Sequence, residues 1–112
     1  MLSFQRLDVY RCAVEFLAIA IDLTARMPKG YGSLADQFRR AALSGPLNIA
    51  EAAGRSSEAD AARHYAIARG SAMECAAIVD APKLLSVMTE PEHGKTAELL
   101  TRMVAMLTKL CR

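Results

Sequence analysis

Residues 33–53, SLADQFRRAALSGPLNIAEAA, carry one apolar face along their whole length. Leu34, Phe38, Ala41, Gly45, Ile49 and Ala52 recur at steps of three and four, the spacing that lines one side of an α-helix. Ser33-Leu34-Ala35-Asp36 reads as an N-terminal capping box with Asp in the usual place of Glu, and Gly54 as a left-handed stop. Pro46 falls inside the run. It removes one backbone donor, so a kink is expected there and the faces beyond it are less sharply phased.

The same period extends outward on both sides. Upstream, Val9, Ala13, Phe16, Ala20, Leu23 and Met27 form a stripe that predicts a helix over about 7–27, with Tyr10, Val14, Leu17 and Ile21 widening it. Pro28-Lys29-Gly30-Tyr31-Gly32 ends it. Downstream, Ser57 with Glu58 and Asp60 opens a third helix, about 57–80, whose stripe is Ala61, Tyr65, Ala68, Ala72, Cys75 and Val79. Ala81-Pro82 bends or ends it. Leu84, Leu85, Val87 and Met88 are too apolar for a free loop, which places them across a bundle end. A fourth helix, about 92–111, carries Leu99, Met103, Met106 and Leu110, with Leu100, Val104, Leu107 and Cys111 alongside. Four helices with short connections in one domain, 1–112, give an all-α, antiparallel up-down four-helix bundle.

Composition agrees. Alanine supplies 21 of 112 residues, Trp is absent and aromatics make up 5%, so helix formers dominate and strand formers are scarce. No uncharged run approaches the ~20 residues needed to span a bilayer. Arg6, Asp8 and Arg11 stand where a signal peptide needs its apolar core, and Cys12, Cys75 and Cys111 lack CxxC spacing. Both features point to a protein of the reducing cytoplasm with free thiols and no membrane partner.

Two helices are apolar on more than one side. Leu43, Leu47 and Ala50 point away from the second helix's core stripe, and Ile67 and Ile78 lie beside the core line of the third. A bundle of four helices has no central helix, so a second subunit is the better explanation of such surplus. A homo-oligomer is expected, with these five residues at its interface. Next to them runs a polar strip: Gln37, Arg40, Ser44, Asn48, Glu51 and Arg55 on one helix, Ser71 and Glu74 on the next. It reads first as a structural network, Arg40 pairing with Glu51 or Glu74 and Asn48 serving backbone groups freed by Pro46. An anion site is the second reading.

Catalytic chemistry has little support. His64 and His93 each stand alone, without the spacing of a metal pair, and His64 reads as a surface residue. The cysteines lie on apolar lines, as buried structural thiols do. No phosphate-binding glycine motif and no catalytic carboxylate pair is present. The chain reads as a non-enzyme without metal or cofactor. For nucleic acid, the candidates are Arg39, Arg40, Arg55 and Arg63, but the net charge is only +2. Residues 1–56 carry +2 (7 minus 5) and the remainder 0 (7 minus 7), a weak footprint unless an oligomer clusters the arginines.

The residues Gln37-Phe38-Arg39-Arg40-Ala41-Ala42, Pro46-Leu47-Asn48-Ile49-Ala50-Glu51, Gly54-Arg55 and Ala68-Arg69-Gly70-Ser71 with Glu74 add a resemblance. Together they are similar to the four-helix-bundle family of the 23S rRNA intervening-sequence protein, once labelled S23 ribosomal protein. That family includes the accessory protein of diversity-generating retroelements. Leu7-Asp8-Val9-Tyr10 fits its usual start, so the likeness covers about Leu7 to Val79. Two departures are the Ala52-Ala53 pair, where the family usually has a glycine, and the stretch from Ala81 to Glu92. The resemblance implies an up-down bundle closing into a ring, commonly a homopentamer. It implies a mainly architectural role for Arg39, Arg40, Asn48, Glu51, Gly54, Arg55, Arg69, Ser71 and Glu74. Partners implied are further copies of the chain, and RNA, DNA or a nucleic-acid-processing protein such as a reverse transcriptase.

Overall fold

The computed structural model describes all 112 residues. A 3₁₀ turn, Ser3–Arg6, leads into α1 (Asp8–Ala25), α2 (Gly32–Ala53), α3 (Glu58–Ile78), the single-turn α4 (Asp80–Leu84) and α5 (Glu90–Leu110). There are no strands. The four long helices match the four apolar periods to within about two residues at each end, the usual fraying uncertainty of helix ends. No helix is long and apolar enough to cross a membrane.

The helices pack in a cycle: α1 on α2 and α5, and α3 on α2 and α5, so that α2 and α5 lie across the bundle from one another. Phe16 of α1 and Phe38 of α2, both fully buried, meet edge to face with ring centroids 6.0 Å apart. Leu23, Ile49, Leu99 and Leu107 fill the rest of the centre, and alanines set the spacing between helices. Gly45 is buried facing Met103 of α5; a Cβ built there would stand 3.6 Å from its Cε, an ordinary van der Waals contact. On α1 and α5, Cys12 meets Leu99 and Glu15 meets Lys95; on α2 and α3, Gln37 meets Glu74 and Ser44 meets Ser71.

Several helix ends differ from the reading of the sequence. The Ser33 box does not form: α2 starts at Gly32 after Tyr31, with no side-chain cap. Gly54 is right-handed, with φ −90°, so no left-handed stop is needed where the chain turns tightly through Arg55. Pro46 is buried and α2 runs through it without interruption. Ser57 does cap α3, accepting from the Asp60 amide at 3.1 Å. The box that forms instead is at α5: Thr89 Oγ1 accepts from Glu92 N at 3.2 Å, while Glu92 accepts from Thr89 N at 2.9 Å. In the 83–91 stretch Met88 is buried as expected, but Leu84 is 84% exposed because α4 turns it outward.

Candidate functional site

The α2–α3 groove carries a polar seam, built where the two helices' core stripes give way to their flanks. Near one end the Gln37 amide donates to the Glu74 carboxylate. One to two turns along, Ser71 donates to Ser44 Oγ at 2.8 Å, and the Asn48 amide donates to the Ser44 carbonyl and hydroxyl at 2.9 and 3.1 Å. Farther on, the His64 ring stands with Nδ1 3.1 Å from Asn48 Oδ1 and 3.2 Å from Glu51 Oε2. Its Nε2 faces the Arg63 guanidinium at 3.4 Å. Arg55 completes the line by meeting Glu51 at 3.5 Å. No buried side-chain polar atom lacks a partner, as a stable polar seam requires.

His64 corrects the surface assignment. It is 6% exposed, because Ala61, His64, Ala68, Ala72 and Cys75 are spaced three, four, four and three and share the inward side of α3. That spacing was the signal that could have found it. Arg40 and Arg69 are exposed and make no hydrogen bond or ion pair within the chain, so the expected Arg40 pairs with Glu51 and Glu74 do not form. Glu51 instead turns to His64 and Arg55, and Glu74 to Gln37. Asn48 does not serve the carbonyl freed by Pro46, which belongs to Ala42; it bonds to Ser44, one turn back on its own helix.

Of the candidate nucleic-acid contacts, Arg39 pairs with Asp36, Arg55 with Glu51, and Arg63 with Asp60 at 3.6 Å. Arg40 alone keeps its charge unopposed. Of the candidate interface residues, Leu43, Leu47 and Ile67 are 45%, 56% and 42% exposed, while Ala50 is half-buried. Ile78 is half-buried too, but it packs against the bundle's own core, which accounts for it without a partner.

Cys12 and Cys75 are both buried thiols. Burial, reinforced by the neighbouring Glu74 carboxylate, pushes the Cys75 thiol up to about 12, and burial also raises Cys12. No three His, Cys, Asp or Glu side chains come together as a metal site. The seam joins α2 to α3 through Gln37 and Glu74, Ser44 and Ser71, and Asn48 and His64.

A family model described as 23S rRNA-intervening sequence protein matches residues 5–109, nearly the whole chain. The chain belongs to the 23S rRNA-intervening sequence protein family. The match runs from the 3₁₀ turn to the last turn of α5, so it takes in all four long helices of this family member and every residue of the seam. No curated protein matches the chain.

Proposed function

We propose that this protein is a non-enzymatic, homo-oligomeric scaffold or adaptor, a bundle whose long helices alternate in direction and whose outer faces join copies of itself. The observation that carries the reading is the exposure of Leu43, Leu47 and Ile67 on helices whose inward faces are already filled. Apolar side chains grouped in this way are costly to leave in water and are covered in a stable assembly. The alternating direction is supported by the order of the cross-helix pairs: position numbers rise along one helix as they fall along its neighbour. Membership of the family favours a ring, with a homopentamer as the expected size.

Light scattering coupled to size exclusion tests this. A single species several times the mass of one 12.1 kDa chain is expected. A monomer at micromolar concentration overturns the reading.

A nucleic-acid-binding accessory role, beside an enzyme such as a reverse transcriptase, is the alternative. It ranks second because three of the four candidate arginines are paired with carboxylates three or four residues away in the chain. Binding of RNA or DNA that weakens with salt and is lost in Arg39→Glu or Arg63→Glu would reverse that ranking.

A further inference from the structure

Among the exposed apolar features of the bundle surface, two differ in shape. One is a ridge. Leu43 and Leu47 stand one turn apart on the outer side of α2, opposite the buried Phe38, Gly45 and Ile49. The other is a groove of ≈ 350 Å³ between α3 and α5, with Met73, Ala76, Ala97 and Val104 among its walls and the buried Leu100 below. Asp80 and His93 close one end of it, Oδ1 and Nε2 being 3.4 Å apart. Met73 is 54% exposed there.

Because α2 lies across the bundle from α5, ridge and groove face different directions and cannot belong to one continuous patch. A convex element whose complement lies elsewhere on the same molecule makes a heterologous, head-to-tail contact; a two-fold contact would need a surface that fits itself. The charges fit the same pairing. Arg40, three residues before Leu43 on the outer side of α2, is the one cation of the candidate set without a partner, whereas Asp80 at the groove end is exposed and meets only the His93 ring.

We propose that the Leu43–Leu47 ridge of one copy seats in the α3–α5 groove of a second copy, with Arg40 directed toward Asp80. The proposal rests on the homo-oligomer reading above and names the surfaces that would carry it. Each copy then offers one ridge and one groove, and association continues from copy to copy until it closes.

Two variants, each blocking one side of the contact, test it. Leu43→Glu with Leu47→Glu spoils the ridge; Ala97→Trp fills the groove from an exposed position. Both are made in the full chain, with helix content checked by circular dichroism. If the paired charges unfold the chain, Leu43→Ser with Leu47→Ser replaces them.

Each variant alone is expected to be monomeric by light scattering. An equimolar mixture is expected to give a one-to-one dimer and nothing larger, since only one sound ridge and one sound groove remain between the two. Arg40→Asp should weaken association roughly tenfold through like charge, and adding Asp80→Arg should restore it. A mixture that stays monomeric overturns the contact, as does a groove variant that keeps the wild-type size. A wild-type protein that is itself monomeric overturns the homo-oligomer reading instead.

Discussion

His64 of α3 reaches across to α2 and places Nδ1 3.1 Å from Asn48 Oδ1, in a ring that is almost wholly buried. Nδ1 carries the proton in that bond, and Nε2 is left to accept from Arg63. The Asn48 amide is committed to Ser44 on its other side, so the His64 ring is what satisfies its carbonyl oxygen.

Replacing His64 with Phe keeps the packing but leaves Asn48 Oδ1 without its donor. Asn48 is half-buried, so the unpaired acceptor should cost about 1 kcal/mol, the low end of the range for a buried one. Urea unfolding should therefore show a lower midpoint with an unchanged slope, and Asn48→Leu added to His64→Phe should recover part of the loss. Full additivity of the two substitutions would show that the bond contributes nothing.

Glu92 ties the start of α5 to the end of α1. It closes the capping box on Thr89 and receives both guanidinium nitrogens of Arg26, the shorter contact being 2.8 Å. The Arg26 hydrogen bond, helped by the Thr89 amide, lowers its carboxyl from 4.5 to about 2. A carboxylate depressed in the folded state contributes stability above its unfolded value and loses it as the pH falls. The contribution should be complete above about pH 4.5 and disappear toward pH 2. Glu92→Gln should flatten that part of a stability profile taken between pH 5 and 2, and an unchanged profile would count against the clamp.

Gly70 lies in the middle of α3, is exposed, and would bring an added Cβ within 4 Å of nothing. Gly70→Ala should stabilise the chain by about 0.5–1 kcal/mol, since alanine restricts the unfolded backbone and suits a helix interior. Thermal and urea denaturation would both register this. A loss of stability would mean that the position is covered by something outside the subunit.

Phe38 is fully buried against Phe16 at the crossing of α1 and α2. Phe38→Ala should cost about 3–5 kcal/mol, a large share of the stability of a domain this size. Either a steep drop in the urea midpoint or failure to accumulate folded protein is the expected result. A change below about 1 kcal/mol would contradict the packing described.

The apolar spacing of the four long helices was legible in the sequence because a helix of known period has fixed faces, whatever surrounds it. That was enough for four helices, for the Phe16, Phe38 and Leu99 core, and for an outward set that includes Leu43, Leu47 and Ile67. The Thr89 box was not among the helix starts expected from the sequence, which put the fourth helix at about 92, and the Ser33 box was a pattern that the start at Gly32 bypassed.

What the period does not fix is how one helix is rotated and slid against the next. That decided that Glu51 meets His64 and Arg55 while Arg40 stays free, and that Glu74 turns to Gln37. It also decided that Ile78 joins the core and that a groove opens between α3 and α5. Polar partners a turn or two apart on a strip are equally reachable in one dimension. Only close packing of Phe, Leu and Ala in the interior sets the distance and register at which a particular donor meets a particular acceptor.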